Sequence, residues 1–312
     1  MSETQQNLNA LSVVVPLYRE GSHLADTLKE IILVLDTLDT GYEVILVDDG
    51  SPDDTWQTIK VQCEHYSTVR GIRLSRNFGK EAALAAGLEH AGGNAIVVMD
   101  GDLQHPPALI HTMVKCWKEG ADVVEAVKQH RGRESGYSKA RAQIFYRIFT
   151  RLTGYDLHDA SDYKLMDRRV LEAWRRMGER NLFFRGMNAW LGFKRVQIPF
   201  NVPDRIGGES GWSILQLTRL AMTAVTSFSS APLHLITLTG VGFAIFALIL
   251  GIQTLYLKIS GSAIDGFTTV ILLLLVIGGV MMLGLGIVGT YIARIYEEVK
   301  GRPRYIIAEQ AG

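Results

Sequence analysis

The sequence predicts an α/β domain built on a largely parallel sheet, followed by a hairpin of two membrane-spanning helices. Two observations carry this. Over the first 130 residues, short β-branched runs alternate with helical patterns, and that alternation implies parallel strands covered by helices on both faces. Charge is then divided unevenly along the chain. Its 312 residues hold 32 basic and 32 acidic side chains, yet residues 231–293 contain only Lys258 and Asp265. The remaining 249 residues are 25% charged, an ordinary value for a water-exposed domain.

Taken in order, the strands are Leu11 to Leu17, Glu43 to Val47, Val69 to Leu74, Ala95 to Met99 and Ala121 to Val127. Helices fill the gaps. Leu24, Leu28, Ile31, Ile32 and Leu35 share one face of the first, and Ala82 to Ala91 is rich in helix formers. Further on, Leu233 to Leu257 lacks any formal charge, and Phe267 to Ala293 has no ionisable group but Tyr291. About 20 helical residues cross a hydrocarbon core of about 30 Å, so each stretch suffices. The connection from Lys258 to Gly266 is too short for a domain and makes the pair a hairpin. Arg219 precedes it, and Arg294, Lys300, Arg302 and Arg304 follow it. The positive-inside bias therefore expects the N-terminal domain and both termini on the cytoplasmic side. The opening residues MSETQQNLNA show no signal-peptide pattern.

Composition excludes disordered, collagen-like and disulfide-stapled classes. Cys63 and Cys116 lie too far apart for a zinc spacing and are expected to be buried free thiols of a reducing compartment. No G-x-G-x-x-G opens a helix, so a dinucleotide cofactor has no support.

In parallel sheets ligands bind beyond the carboxyl ends of the strands, and polar groups gather there. Pro16, Tyr18 and Glu20 follow the first strand; Asp48, Asp49, Gly50 and Ser51 the second; Arg76, Asn77, Gly79 and Lys80 the third. After the fourth comes Asp100-Gly101-Asp102-Leu103-Gln104-His105-Pro106-Pro107. Two carboxylates at i and i+2 around a glycine can both turn toward one hard cation and leave coordination positions for water and phosphate oxygens, which is how Mg²⁺ is commonly held. The spacing does not fit a calcium loop, which needs more oxygen ligands and a distal Glu.

The segments VVVPLYRE, ILVDDGSPDDT, LSRNFGKEAAL, VVMDGDLQHPP and SDYKLMDRRV, in that order and ahead of two spans, resemble the polyisoprenyl-phosphate sugar transferases of glycosyltransferase family 2. That group includes dolichol-phosphate mannose synthases and bacterial bactoprenol glucosyltransferases. The resemblance implies a GT-A fold, a nucleotide-sugar donor, Mg²⁺ or Mn²⁺, a polyisoprenyl phosphate acceptor, inversion at the anomeric carbon, and a bacterial plasma membrane location. By likeness, Pro16, Tyr18, Glu20, Asp48 and Asp49 hold base and ribose, with Arg76 and Lys80 lining the same cleft. Asp100, Gly101 and Asp102 meet the donor, and Asp100, Asp102 and Gln104 hold metal and diphosphate. Asp162 matches the family's catalytic carboxylate, with Asp159 as a competitor and with a role as base or as orienting charge. UDP-hexose is favoured over GDP-hexose, with glucose as the sugar.

An anionic, greasy acceptor needs cations beside an apolar surface. Lys128 to Arg151 contains seven Lys or Arg against Glu134 alone, with Tyr137, Ile144, Phe145, Ile148, Phe149 and Leu152 at helical spacing. An apolar face flanked by basic residues marks a helix in the membrane interface, placed at about 136–152. Arg131, Arg133, Lys139 and Arg205 are the candidates for the acceptor phosphate. Basic residues interleaved with large aliphatics argue against nucleic acid. The expected organisation is a catalytic domain over 1–205, a juxtamembrane helix over 206–230, spans over 231–257 and 267–293, and a tail over 294–312. Gly278, Gly279, Gly284, Gly286 and Gly289 offer small faces for helix association, including homo-oligomers. A processive polysaccharide synthase and a non-catalytic nucleotide-sugar-binding scaffold are the competing functions. The first is disfavoured because Gln216 to Arg219 is followed by Leu220 rather than Trp and two spans cannot enclose a polymer path.

Overall fold

The computed structural model describes residues 11–102, 104–128, 150, 161–179, 184, 190–200, 229, 231–260 and 266–312. The expected interface and juxtamembrane helices lie outside these residues, as do Asp159, Arg131, Arg133, Lys139 and Arg205. The chain divides into two compact units. One holds the sheet, the helices packed on it and the C-terminal strand; the other holds the two long apolar helices.

Five strands fall where the sequence places them: β1 (Leu11–Leu17), β2 (Tyr42–Asp48), β3 (Val69–Leu74), β4 (Ala95–Val98) and β5 (Val123–Lys128). Every residue of β1 is buried, as a strand covered on both faces requires. Helices α1 (Leu24–Leu35), α2 (Thr55–His65), α3 (Lys80–His90) and α4 (Leu109–Lys118) follow β1 to β4. α3 lies close to the sheet because its buried face is mostly alanine and Gly87; a Cβ there would come within 2.3 Å of Val14 Cγ1.

Three further strands went unread in the sequence: β6 (Lys164–Asp167), β7 (Arg195–Phe200) and β8 (Ile307–Ala311). The sheet order is β7-β5-β6-β4-β1-β2-β3-β8. β3, β2, β1 and β4 are mutually parallel, while β6 runs antiparallel between β4 and β5. The sheet is thus mixed, and its order reverses at the β1–β4 seam, since β2 leaves β1 on one side and β4 returns on the other. A crevice opens beyond the strand ends at such a reversal. Beyond β6 comes α5 (Arg168–Arg176), capped by the Asp167 side chain accepting from Arg169 N–H.

The segment over 294–312 departs from the expected tail. Residues 307–311 are β8, antiparallel on β3, and cover what would otherwise be an open sheet edge. Tyr305 Oη donates to Glu89 at 2.5 Å, Arg304 reaches the Met177 carbonyl at 2.7 Å, and Glu309 accepts from Trp56 Nε1 at 2.8 Å and from Arg73 at 3.1 Å. The sequence IAEQA has no run of β-branched residues to announce this.

In the second unit, α6 (Ala231–Ile259) and α7 (Phe267–Val299) are long and apolar enough to cross a membrane, and no residue of their most apolar windows is buried. α7 runs six residues past the expected end of its span. Leucines such as Leu238, Leu248 and Leu283 point outward, where hydrocarbon is a better neighbour than water. The helices touch where Gly284 lies 3.4 Å, counted from its ideal Cβ position, from Ile236 Cγ2. Cys63 and Cys116 are free thiols, half-buried rather than fully buried.

Candidate functional site

The β1–β4 seam carries the site because both strands end there and their next residues turn into the same crevice. After β1 the chain turns sharply: Arg19 takes φ 59, its N–H donating to Ser51 Oγ, while the Glu20 N–H donates to Thr55 Oγ1. After β4, Asp100, Gly101 and Asp102 form a turn. Thr27 Oγ1 on α1 donates to the Gly101 carbonyl at 3.1 Å, and Gln104 N–H to Asp102 Oδ1 at 3.0 Å. At Gly101 a Cβ would lie 2.6 Å from both Glu20 Oε2 and Leu17 Cδ2, so a larger residue would require those two side-chain ends to shift. That close approach sets Glu20 against the acidic turn.

A cavity of about 320 Å³ opens at the seam, lined by Pro16, Tyr18, Glu20, Asp49, Lys80, Asp100 and Asp102 among others. Seven of the sequence-named site residues therefore share one concavity. Asp49 serves it indirectly. Its two oxygens accept the Phe78 and Gly79 N–H groups at 2.7 and 2.9 Å, which fixes the loop before α3 and aims Lys80, the helix's first residue, at the acidic turn.

Lys80 Nζ lies 2.5 Å from Asp100 Oδ1 and 3.1 Å from Asp162 Oδ2. One ammonium thus ties the turn after β4 to the residue just before β6. Burial lowers the Lys80 pKa, but the two carboxylates outweigh it and hold the pKa above its ordinary value. No sequence signal links Lys80 to Asp162, because 82 positions separate them and only the strand order brings them together. His105, buried and stacked on Tyr163 at 4.9 Å between ring centroids, accepts the Asp100 N–H at 3.4 Å.

Three sequence-named residues lie outside the cavity lining. Asp48 is fully buried, accepting the Ser51 N–H at 2.9 Å and facing Arg73 Nε at 3.4 Å. It braces the turn after β2 from behind the cavity. Arg76 packs its guanidinium over the Phe78 ring at 4.4 Å and is not among the lining residues, whereas Asn77 is. Gln104 meets Asp102 through its backbone and does not line the cavity.

Glu20 is the most perturbed carboxyl of the site. Burial pushes its pKa up to about 7, His23 pulls it down, and Asp102 and Asp100 push it further up. Its Oε2 is buried and faces His23 Nε2 at 3.5 Å. The folded pKa stands above the ordinary 4.5, so folding takes up a proton between these values and stability is lost as pH rises through them. With metal chelated, Glu20→Gln is expected to stabilise the chain at pH 8 by on the order of 2 kcal/mol and to have little effect near pH 4. Thermal unfolding at the two pH values checks this; an equal shift at both would mean that charge is not what Glu20 costs the fold.

Among the described residues, no group of three or more His, Cys, Asp or Glu is gathered to enclose a metal ion. Asp100 and Asp102 instead fit a site completed by ligand oxygens and water. The turn is tight between them, and Asp100 already draws a cation to itself in Lys80.

Residues 12–175 match the family model described as Glycosyl transferase family 2. The chain is 38% identical over 308 residues to "Uncharacterized glycosyltransferase YkcC" of Bacillus subtilis, covering 96% of this chain and 94% of that protein. It is 34% identical to the "Prophage bactoprenol glucosyl transferase homolog" of Escherichia coli, covering 95% and 98%. With the "Bactoprenol glucosyl transferase" of Shigella phage SfII it shares 33%, covering 95% and 97%.

Proposed function

The chain belongs to glycosyltransferase family 2, and we propose that it moves a single hexose from a nucleotide sugar to a polyisoprenyl phosphate at the cytoplasmic face of a bacterial plasma membrane. UDP-glucose is the proposed donor and undecaprenyl phosphate the proposed acceptor. The observation that carries the reading is the gathering of Asp100, Asp102, Glu20, Lys80 and Asp162 at the β1–β4 reversal, in a chain whose relatives over its whole length include bactoprenol glucosyl transferases. The two apolar helices and the basic residues flanking them support a membrane hairpin with this orientation.

In this mechanism Pro16, Tyr18 and Glu20 bind the nucleoside, and the Asp100-Gly101-Asp102 turn receives the diphosphate. Asp100 and Asp102 would hold a Mg²⁺ or Mn²⁺ ion, which would supply charge neutralisation to the departing diphosphate oxygen. Lys80 adds a positive charge beside that oxygen and holds the Asp162 carboxylate in place. The acceptor needs little help from a base, because a phosphate monoester's second pKa is about 6 and its oxygen is already anionic near neutral pH. Asp162 therefore acts mainly by orienting acceptor and sugar for attack opposite the leaving group, which inverts the anomeric centre. Asp159, Arg131, Arg133, Lys139 and Arg205 remain candidates by sequence, the arginines for bidentate contact with the acceptor phosphate.

Purified full-length chain, given labelled UDP-glucose and undecaprenyl phosphate, should yield one lipid-linked glucose per acceptor, and chelation of divalent metal should stop it. A polymer would establish a processive synthase. No product from any of a panel of UDP and GDP sugars would leave a binding scaffold. In the same assay, Arg131→Ala with Arg133→Ala should raise the acceptor KM by about 10- to 100-fold, the range for lost charged hydrogen bonds, and leave the donor KM unchanged. An unchanged acceptor KM would move the phosphate site toward Arg205.

A further inference from the structure

The strongest pairing in the cavity is between groups that the donor reading would otherwise assign to different partners. Lys80 joins Asp100, one of the two proposed metal carboxylates, to Asp162 on the other side of the crevice. The Lys80 side chain is 43% exposed, against 28% for Asp100 and 11% for Asp162. Lys80 is thus the most exposed of the three and Asp162 the most buried. The Lys80 stem leaves the first turn of α3, whose approach is fixed by Asp49 accepting two backbone N–H groups, so the ammonium is held within reach of the acidic turn.

We propose that Lys80 is a resident counter-cation that gates the metal: its ammonium pairs with Asp100 and must be displaced before a divalent ion binds there, which makes metal binding depend on the donor's diphosphate. This rests on the reading of Asp100 and Asp102 as the metal site. An ion arriving alone would compete with a covalently tethered cation for Asp100 and leave two positive charges side by side in a small cavity. An ion arriving with a diphosphate brings anionic oxygens that accept the displaced ammonium, while Asp162 keeps a grip on it. Metal and nucleotide then favour each other's binding, and by linkage the effect is reciprocal. Lys80 is in this sense a positioning residue that orders the loading of the site.

The test is Mn²⁺ binding to the full-length protein in detergent, followed by electron paramagnetic resonance with and without UDP. Wild type should bind Mn²⁺ weakly alone and much more tightly with UDP. Lys80→Met should bind Mn²⁺ alone about tenfold more tightly, a coupling of ordinary size. UDP should then enhance Mn²⁺ binding about tenfold less than in wild type. Lys80→Arg should keep the wild-type pattern. A merely structural lysine would not raise metal affinity when removed. Lys80→Gln, which keeps a polar helix start, gives the same reading should the Met variant be unstable. Equal or weaker Mn²⁺ binding in the folded Lys80 variants would overturn the proposal while leaving the metal site standing. Wild type that binds no Mn²⁺ even with UDP, and so does not differ from Asp100→Ala, would overturn the metal reading and the gate with it.

Discussion

Asp100→Ala and Asp102→Ala should each reduce sugar transfer by about 10³-fold or more, in line with the loss of a preorganised electrostatic partner of a leaving group, while membrane insertion is unaffected. Both carboxylates sit on the turn after β4, where Thr27 Oγ1 holds the Gly101 carbonyl and His105 the Asp100 N–H, while Asp102 Oδ1 itself accepts the Gln104 N–H. Removing either side chain leaves the Thr27 and His105 contacts in place, and Asp102→Ala gives up the Gln104 bond along with the charge. The two variants should also differ in donor binding. Asp100→Ala also frees the Lys80 ammonium from its nearer partner, so it should weaken donor binding less than Asp102→Ala does. Radiolabelled transfer measures the first effect and membrane fractionation the second. Near-normal turnover in both variants would remove the acidic turn from the mechanism.

Asp162→Asn should lower kcat by about 10²- to 10⁴-fold, the span typical for losing a catalytic carboxylate, with the donor KM changed by much less. The amide keeps the size of the side chain and a contact to Lys80, but it loses the negative charge that faces the ammonium at 3.1 Å. Asp162 is buried beside β6, so an exchange that alters shape would confound packing with charge; the Asn variant avoids that. Pre-steady-state transfer at saturating donor, with donor binding measured separately, reads out the difference. A loss of donor affinity as large as the loss of turnover would make Asp162 a binding residue.

The elements legible in the sequence are those whose burial forces an apolar run. β1, β2 and β4 are buried on both faces, β3 over most of its length, and all four lie where their Val, Ile and Leu clusters place them. The polar residues at their carboxyl ends follow from the topology rule, and most of them do line the cavity. β6 escaped because only four residues pair and two of them, Lys164 and Asp167, are charged. Lys164 is tolerated in the interior because it pairs in register with Glu125 at 3.0 Å, a compensation invisible to hydropathy. Asp48 shows the opposite case. Within the motif it looks like a ligand contact, yet its neighbour Asp49 faces the cavity, since side chains alternate at a strand's end. The Lys80 bridge could not have been read at all, because it depends on β6 slotting beside β4.

The strand that closes the β3 edge also sets a folding order. β8 is made roughly 230 residues after β3, which at about 5–20 residues per second is on the order of 10 to 50 s of synthesis. Through that interval β3 keeps an unpaired edge, and the chain between the two strands must form both apolar helices before the edge can be capped. Contacts so distant in sequence are slow to form, and an open edge invites pairing with other chains. The sheet should therefore pass through a long-lived, aggregation-prone stage whose duration depends on how quickly the helical hairpin is settled. Overproduction that outpaces the settling of the two apolar helices should cost this protein its sheet edge first.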